Sequence, residues 1–302
     1  MLQFADLHFF TVLGQHRSLA AAARALNLTP SAVTQRLQAI AARVGLRLMH
    51  RTSRGVALTE AGEYLRAQGG DLNLRLDRLN DSLASRHNAM EGSLRIVATL
   101  GFGRRYVAPL VRSFYADNPR VHVALTLSDR PLLQAVGSFD VAIFIGSLRD
   151  SSMIAYPVAR NQRMLVASPA YLRSRGTPTH PHELERHRCI ALRENDEDVT
   201  LWQFSRGSER VSIRVRPHLS SNDGEVARDW AIAGEGLVIR SHWDIAAALA
   251  SRELVPVLAG FRLPAADVVA LSPQGQALPR RARAFIDHVR DSFKPQPPWL
   301  RE

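Results

Sequence analysis

Four polar residues that could read nucleic acid stand close together near the N-terminus. Ser31, Thr34, Gln35 and Arg36 lie within the stretch NLTPSAVTQRLQAI, which spans residues 27–40. An arginine can pair with both acceptors of a guanine and a glutamine with an adenine, while short hydroxyls reach phosphates or bases. The pattern therefore predicts base readout in a DNA groove. The alternative interpretation is an exposed helix face that binds nothing.

The residues before this cluster predict where its helix begins. Thr29 suits the N-cap position, and Pro30 falls at the first helical position, where a missing N–H costs nothing. The unused amides at such a helix start attract phosphate, so both residues are assigned to the DNA-binding surface. The apolar side of the helix is predicted to face the core through Ala32, Val33, Leu37 and Ile40.

Two shorter helices are predicted before this one. Asp6 is expected to cap the first, and Ser18, also assigned to the DNA-binding surface, to cap the second, LAAAARAL. Only residues 27–29 separate the second helix from the third. Two short helices joined by a tight turn, with polar residues near the start of the second, indicate a helix-turn-helix.

A hairpin is predicted next, over residues 46–58. Two short strand-like pieces flank the turn Ser53-Arg54-Gly55, and Arg51 stands in the first of them. We expect Arg51 and Arg54 on a wing that contacts the minor groove or the DNA backbone. Such contacts contribute affinity more than base specificity.

The charge distribution supports a polyanionic partner for the N-terminal region. The chain of 302 residues carries a formal net charge of +11, and residues 1–58 hold seven arginines against the single acid Asp6. Residues 59–88 hold four arginines and five acids, so the basic density is concentrated at the N-terminus. This distribution favours DNA as a partner. A solvated charged surface is the alternative.

A long helix is predicted after Thr59, its cap. Leucines then recur at steps of three and four, which is typical of a coiled-coil seam and predicts a homodimer through Leu65, Leu72, Leu76, Leu79 and Leu83. Gly69-Gly70 interrupts the pattern, because each glycine costs about 1 kcal/mol in a helix interior. The pair indicates a kink, a close helix crossing or a break.

From Gly92 onward, short apolar runs alternate with amphipathic segments. SLRIVA, VHVALTL, DVAIFI, RMLVAS and GLVIRS read as strands, with helices such as PLVRSFYADN and EVARDWAIAG between them. We predict an α/β domain with buried, largely parallel strands. The proline-rich tail KPQPPW, residues 294–299, is expected to be loose.

Several motifs together resemble those of the LysR-type transcriptional regulators. They are residues 4–40 with LTEAG at 58–62, then GSLRI at 92–96, FDVAIFIG at 139–146, LVASPAYL at 165–172 and RAFIDHV at 283–289. The resemblance implies a multidomain α and α/β protein. Its parts would be a winged helix-turn-helix over 1–58, a linker helix for dimerisation over 59–88, and a regulatory domain over 89–302 of periplasmic-binding-protein type.

The resemblance also implies two subdomains in the regulatory domain, with a small-molecule effector in the crevice between them. Subdomain I would span about 91–162 and 268–302, and subdomain II about 163–267. Ligands of open α/β sheets sit beyond the carboxyl ends of strands, and this rule selects Thr99, Leu100, Gly101, Phe102, Ser128, Asp129 and Gly146. From subdomain II we expect Trp202, Phe204, Asn222 and Asp223, although core packing is an equal alternative for the two aromatic residues.

Phe144 departs from the pattern of many relatives, which carry an arginine at this position. An arginine in the crevice would bind a carboxylate, whereas a phenyl ring cannot. If Phe144 lines the pocket, the effector is expected to be more apolar or aromatic. No cofactor is predicted beyond this unidentified effector.

The expected partners are double-stranded DNA with an imperfect inverted repeat, the effector, a second copy of the chain and RNA polymerase. The resemblance further implies that dimers pair into tetramers. With no apolar run of about 18 residues, no secretory signal and one cysteine, the chain is expected in the cytoplasm without a membrane span.

Other kinds of site find little support in the sequence. His180, His182, His187 and Cys189 invite a zinc hypothesis, but their spacing does not match the paired ligands of zinc sites, so no metal is predicted. Nucleophile and dinucleotide motifs are missing, so no enzyme is expected. The alternative function is a solute-binding module without a transcriptional role, which would not need the basic N-terminal helices.

Overall fold

The computed structural model describes residues 2–14, 16, 18–52, 55–85, 90–132, 139–146, 153–194, 198–274 and 278–301. These residues form two compact units, one up to residue 85 and one from residue 90 onward. Among the helices of the described residues, none has the length and apolar character needed to cross a membrane.

The N-terminal unit contains the predicted helix-turn-helix, hairpin and long helix. Its elements are α1 Phe4–Gly14, α2 Leu19–Ala25, α3 Pro30–Val44, β1 Met49–Thr52, β2 Gly55–Leu58 and α4 Glu60–Ser85. β1 and β2 pair antiparallel. The core that unites them is built from Phe9, Phe10, Leu13, Val33, Ile40 and Leu48, all buried.

Local hydrogen bonds fix the starts of three helices as the sequence predicts. At α4 the Thr59 hydroxyl accepts from the Gly62 amide, 3.1 Å away. The Ser18 hydroxyl accepts from the Ala21 amide, and the Thr29 hydroxyl accepts from the Ala32 amide, with Pro30 at the first helical position. The prediction for Asp6 was wrong, because α1 begins two residues earlier, at Phe4. The buried Asp6 carboxylate instead reaches back to accept from the Gln3 backbone N–H, 3.0 Å away.

The glycine pair in α4 marks a close helix crossing. α4 continues unbroken over residues 60–85. Gly69 is buried, and a methyl group placed on it would lie 3.4 Å from Leu7 Cδ2 on α1. Because α1 and α4 approach this closely, a large side chain at residue 69 would push them apart. The alternative of a helix break was wrong.

The C-terminal unit contains two five-stranded sheets. Its strands in chain order are β3 Gly92–Thr99, β4 Val121–Ser128, β5 Val141–Ile145, β6 Met153–Ala159, β7 Arg163–Ala167, β8 Cys189–Leu192, β9 Leu201–Arg206, β10 Glu209–Arg214, β11 Pro217–Ser221, β12 Leu237–Ser241, β13 Val255–Val257 and β14 Val268–Pro273. The α-helices are α5 Leu100–Phe102, α6 Ala108–Asp117, α7 Pro169–Arg175, α8 Gly224–Ile232, α9 His242–Ala250 and α10 Arg280–Ser292.

Each sheet defines one subdomain. Subdomain I is built on the strand order β4-β3-β5-β14-β6, and subdomain II on the order β11-β8-β12-β7-β13 with the separate hairpin β9–β10. β3 pairs parallel with β4 and β5, whereas β14 runs antiparallel to β5 and β6. In subdomain II, β8 pairs parallel with β11 and β12, and β7 antiparallel with β12 and β13. The sheets are therefore mixed, and the expectation of largely parallel strands was only half right.

The chain passes twice between the subdomains, and hydrogen bonds join the two crossings. The Asn161 side chain donates to the Ala266 carbonyl, 2.7 Å away, and the Asn161 backbone N–H donates to the Asp267 carboxylate. The Asn161 side-chain oxygen also accepts from the Trp243 amide at the start of α9. Asn161 therefore ties both crossings to subdomain II.

The C-terminal tail is ordered rather than loose. The Trp299 side chain is buried, and its indole N–H donates to the Arg160 carbonyl, 3.0 Å away. Its ring packs in a cluster with Phe102, Tyr106, Phe293 and, through Phe102, Trp243. An indole buried among other rings and hydrogen-bonded through its N–H holds the tail against the domain.

Candidate DNA interface and ligand cavity

Two side-chain hydroxyls predicted to bind DNA at the start of α3 form hydrogen bonds to the backbone of the helix itself. The Thr29 hydroxyl caps the Ala32 amide at 3.2 Å, and the Thr34 hydroxyl donates to the Pro30 carbonyl at 2.9 Å. Ser31 lies 3.0 Å from Thr29 between hydroxyl oxygens and is exposed. The bonds of Thr29 and Thr34 are those that hold the first turn, so their hydroxyls have less capacity for DNA.

Two glutamines form the free polar surface of α3. Gln35 and Gln38 are exposed and three residues apart, which places them on one face of the helix. In the described residues, neither side-chain amide has a hydrogen-bond partner. Gln38 was not among the predicted DNA-binding residues. Its spacing of three from Gln35 and seven from Ser31 is the signal that would have identified it.

Arg36 turns its guanidinium toward α1. Its Nη2 donates to the Ala5 carbonyl at 2.8 Å, and its guanidinium carbon lies 4.7 Å from the centre of the Phe9 ring. The Asp6 carboxylate lies 4.0 Å away and pairs more closely with Arg43, at 3.0 Å. In this conformation Arg36 packs against its own domain, and its role in reading a base stays a prediction.

Only part of the predicted wing lies among the described residues. β1 and β2 pair in register with Arg51 opposite Val56. Ser53 and Arg54, and the side chain of Arg51, lie outside the described residues. The contacts assigned to Arg51 and Arg54 therefore stay predictions.

The predicted dimer seam divides into two parts. Leu72, Leu76 and Leu79 are 42%, 37% and 56% exposed on α4, an unusual state for three leucines on one helix. Leu65 packs against the core of the N-terminal unit, so part of its surface is already covered. The Leu83 side chain lies outside the described residues.

The crevice between the subdomains is closed by polar contacts at the ends of β3 and β4. Arg104 forms ion pairs with Glu225 and, at 3.4 Å, with Asp223. The Asn222 side chain donates to the Asp129 carboxylate at 2.8 Å. Each pair joins subdomain I to the start of α8 in subdomain II. The sequence did not single out Arg104 or Glu225, because their contact depends on residues more than 100 positions apart.

The predicted residues of subdomain I lie directly behind these pairs. Thr99 and Phe102 are buried, and the Thr99 hydroxyl oxygen has no hydrogen-bond partner. Gly101 is buried where a methyl group would come within 3.0 Å of the Trp243 ring, and Leu100 beside it is half-buried. Ser128, at the end of β4, is half-buried, and its hydroxyl accepts from the Arg130 amide. This end of the crevice is filled by protein atoms.

All four aromatic residues predicted for the effector site belong to apolar cores, Phe102 among them. Trp202 packs in subdomain II and donates its indole N–H to the Val199 carbonyl, so this side chain has no polar group left for a ligand. Phe144 packs with Phe139 and Leu271 in subdomain I. Phe204 also belongs to the subdomain II core, but it lines a cavity as well.

That cavity lies at the edge of sheet II beside the crossings, with a volume of about 510 Å³. Its walls come from residues 162–165, from Phe204 and from residues 256–259 and 261–263. Arg163 and Arg262 supply its charged groups. A methyl group placed on Gly146 would lie 3.6 Å from Arg163 Nη2 and 3.4 Å from the Phe144 ring, so the Arg163 guanidinium approaches the end of β5.

The histidine-rich segment is held by separate local contacts. His180 pairs with Glu209 at 3.0 Å, and His187 contacts the Tyr171 hydroxyl at 3.2 Å. Burial raises the pKa of the Cys189 thiol to about 12, so it stays protonated at neutral pH. Within the part of the chain that the structure describes, no group of three or more metal-ligating side chains forms.

Two family models match the chain, in the order of the two units. Residues 4–63 match the model described as bacterial regulatory helix-turn-helix protein, lysR family, and residues 87–294 match the LysR substrate binding domain. The chain belongs to the LysR family. LysR regulators control transcription and are not enzymes, and their substrate-binding domain implies a small-molecule effector.

Individual LysR relatives match along most of their length. The HTH-type transcriptional activator TtdR of Escherichia coli K12 is 34% identical over 253 residues, which cover 84% of this chain and 82% of TtdR. The transcriptional regulator DmlR of the same strain is 30% identical over 288 residues, covering 95% of this chain and 94% of DmlR.

Solved LysR structures show the same architecture. The full-length Vibrio cholerae virulence activator AphB has a TM-score of 0.64 and 27% identity, and the match covers 95% of this chain and 98% of AphB. CrgA of Neisseria meningitidis, at 24% identity and a TM-score of 0.58, shares the fold. A solute-binding module would account for neither residues 4–63 nor these full-length matches.

Proposed function

We propose that this LysR-type regulator binds an imperfect inverted repeat in DNA as a homodimer or tetramer and responds to a small molecule held between its two regulatory subdomains. The observation that carries the proposal is the presence in one chain of a capped α3 with an exposed glutamine face and a two-subdomain LysR ligand domain. Family membership is consistent with action in the cytoplasm and with contacts to RNA polymerase.

The proposed DNA surface is the start of α3 with the wing. In a helix-turn-helix, the N-terminal residues of the second helix contact base edges. Ser31, Gln35 and Gln38 are exposed there, and a glutamine amide matches the polar groups of adenine. Arg36 joins them if it leaves the Ala5 carbonyl and the Phe9 ring, which DNA phosphates could favour by competing for its charge.

The proposed dimer forms through α4. Leu72, Leu76 and Leu79 expose apolar surface to water. A second helix that covered them would remove this surface from water, which is favourable. Two copies joined in this way would carry two recognition helices, and an inverted repeat in the operator would match this two-fold symmetry. A tetramer would bind two such sites.

The proposed effector site lies between the subdomains, next to the crossings. Ligand pockets of α/β proteins lie at the carboxyl ends of strands, where Thr99, Ser128 and Gly146 stand. The ion pairs of Arg104 would have to rearrange for a ligand to reach Thr99. Effector binding would then change the angle between the subdomains, because the two states differ in these contacts.

Footprinting of the full-length protein tests the DNA part of the proposal. DNA upstream of its own gene and of the neighbouring divergent gene would be used, at several salt concentrations. The Gln35→Ala variant is expected to relax preference at one base position by about 1–3 kcal/mol. The Arg54→Ala variant should weaken binding to all sequences and reduce the salt slope by about 1. The Arg36→Ala variant should also relax the base preference at one position of the site.

The control is Gln203→Ala, which removes an exposed glutamine from β9 in the regulatory unit and should leave the footprint unchanged. The proposal would fail if the wild-type protein gave no salt-sensitive, sequence-specific footprint. If Gln35→Ala and Arg36→Ala both kept the wild-type base preference, the assignment of α3 to the bases would fail.

A further inference from the structure

We propose that Asp6 limits sequence-independent DNA binding by holding two arginines of the recognition helix α3, Arg36 and Arg43, against α1. The inference rests on the proposed function, because it concerns how the proposed DNA surface uses its positive charge. It is carried by the burial of Asp6, by its contacts with both arginines, and by the side of α3 from which they project. Asp6 itself is a positioning residue and does not touch DNA.

Asp6 is the only acidic residue among residues 1–58, which also contain seven arginines. It lies on α1 with 3% of its surface exposed. One carboxylate oxygen lies 3.0 Å from the Arg43 guanidinium and 4.0 Å from that of Arg36, while the other accepts from the Gln3 backbone N–H. A buried carboxylate is costly unless it is paired, so this one group binds two arginines of α3 to α1.

Both arginines project from one side of α3. Arg36 and Arg43 are seven residues apart, which is close to two helical turns, so they share the side that faces α1. Arg36 also donates to the Ala5 carbonyl at 2.8 Å and lies 4.7 Å from the centre of the Phe9 ring. Relative to the exposed Gln35, this side is rotated by about 100° around the helix axis. The arginines therefore lie on a flank of the proposed base-reading face.

The flank of a recognition helix lies next to the DNA backbone. The major groove is about 12 Å wide, and a helix with its side chains is about 10–12 Å across, so the helix fills the groove from wall to wall. The walls carry the phosphates, whose charge is the same in every sequence. If Arg36 and Arg43 left α1, they would reach these phosphates whatever bases lay between them.

Asp6 therefore competes with DNA for the two guanidinium groups. The side chains of Arg36 and Arg43 are 38% and 33% exposed, so a phosphate can reach them without unfolding the unit. Carboxylates and phosphates both bind a guanidinium through strong charge-assisted hydrogen bonds. Holding these charges on Asp6 lowers the affinity for all DNA alike. The exposed glutamines of α3, which can contact bases, then decide a larger share of the binding.

Binding of the full-length protein to short duplexes of mixed sequence tests this inference, because such duplexes report sequence-independent affinity. Fluorescence anisotropy at several salt concentrations gives the dissociation constant and the slope of log affinity against log salt. Asp6→Asn should bind about tenfold more tightly at low salt, and its slope should steepen by about 1–2, one for each released arginine. Asp6→Glu keeps the charge and should return most of the change.

Asp71→Asn is the matched control. Asp71 pairs with Arg75 on α4 at 2.8 Å, and 33% of its side chain is exposed. The variant removes the same charge from the same unit, but not from the contact with α3. Its salt slope should stay close to that of the wild type.

A change at Arg43 tests the same contact from the other partner. In the Asp6→Asn background, Arg43→Gln should take back about 1 of the added slope, because the released guanidinium binds a phosphate there. In the wild-type background, the same change should alter the slope by much less, because Asp6 already holds the side chain. This second measurement needs no change at Asp6, so it tests the inference even if Asp6→Asn does not fold.

A purely structural role of Asp6 gives the opposite result. Loss of the contact between α1 and α3 would then weaken DNA binding, and amide hydrogen exchange over both helices would accelerate at the same time. The inference instead expects tighter binding with a steeper salt dependence. Exchange measured on each variant shows whether its N-terminal unit is folded.

The outcomes separate this inference from the proposed function. An unchanged or flatter slope in folded Asp6→Asn, an equal steepening in Asp71→Asn, or the loss of a full contact in Arg43→Gln alone would each overturn the inference. In these cases the sequence-specific footprint of the wild-type protein would remain. Absence of that footprint, with the expected changes in slope, would instead overturn the proposed function alone.

Discussion

The start of α3 and the closed crevice both present polar side chains, but they hold them in different ways. At the start of α3, the bonds of the two threonine hydroxyls to the backbone span three or four residues, from Thr29 to Ala32 and from Thr34 to Pro30. At the crevice, Arg104 and Asp223 are 119 residues apart and Asn222 and Asp129 are 93 apart. The first surface forms with its helix, whereas the second exists only when both sheets have assembled.

Exposed and buried polar contacts also differ in how much each contributes to the stability of the fold. Exposed local bonds can be replaced by water when they break, so each contributes little. Buried charges in the regulatory unit cannot be hydrated without unfolding, so losing one partner is costly. Substitutions should therefore have their largest effects on stability at buried charged contacts and their smallest at exposed helix caps.

The largest effect is expected at Asp244. Its carboxylate, with only 1% of the side chain exposed, accepts from Arg228 at 2.7 Å and from Arg240 at 2.8 Å. Asp244→Asn removes the charge between two guanidinium groups and should lower the free energy of unfolding by about 3 kcal/mol. Tryptophan fluorescence during urea unfolding would measure it, because all four tryptophans lie in the regulatory unit.

Asp229→Asn is the matched control for that variant. Asp229 also pairs with Arg228, at 3.0 Å, but 64% of its side chain is exposed. Exposed ion pairs contribute little to stability, so the unfolding midpoint should stay close to that of the wild type. An equal loss in both variants would mean that burial does not decide the cost of losing a partner here.

An intermediate effect on stability is expected at Gly62. Within the N-terminal unit, this glycine can be compared with Gly70 on the same helix. A methyl group on Gly62 would lie 2.0 Å from the Leu48 carbonyl oxygen, so Gly62→Ala must shift backbone and should cost about 1–3 kcal/mol. On the same helix, a methyl group on Gly70 would meet its nearest atom, Thr11 Cγ2, at 3.9 Å. Gly70→Ala should therefore stabilise the unit by up to about 1 kcal/mol.

Amide hydrogen exchange over α1 and α3 measures both glycine variants, since exchange reports the opening of one cooperative unit. Protection should fall in Gly62→Ala and rise in Gly70→Ala. The same sign of change in both would show that the propensity of α4, and not its contact with Leu48, controls the unit.

The smallest effect is expected at Thr29. Thr29→Ala removes the cap on the Ala32 amide and should cost about 1 kcal/mol. Exchange of the amides of residues 31–33 would accelerate, while Thr29→Ser should preserve protection because it keeps the hydroxyl. Thr34→Ala, which removes only a bond to the Pro30 carbonyl, is expected to change it less. A loss of stability in Thr29→Ala equal to that in Asp244→Asn would show that an exposed cap contributes as much as a buried charge.

Several elements could be predicted because their signals are local. Caps, turn residues and apolar spacing located α2, α3, the hairpin, and the strands β3, β4, β5, β7 and β12. The prediction for the tail was wrong for the opposite reason. KPQPPW has a loose composition, yet Trp299 finds a hydrogen bond to Arg160 and a ring cluster that lie far away in the sequence. Composition cannot report such a partner.

The site residues show the same limit. The end-of-strand rule selected Thr99, Ser128 and Gly146 because strand ends are visible in a sequence. It could not select Arg104 or Glu225, whose importance depends on which element of the other subdomain they meet. Trp202 and Phe204 were ambiguous, since an aromatic residue on a strand has the same pattern in a core as in a pocket.

The sequence by itself determined the family, the order of the two units, and the start and polar composition of α3, because bonds between close neighbours fix these features. Only the tertiary structure decided that Arg36 packs against α1 and that Gly62 and not Gly70 needs the absence of a side chain. These outcomes depend on the space and charge that distant segments leave around a side chain. Such quantities exist only after the chain has folded.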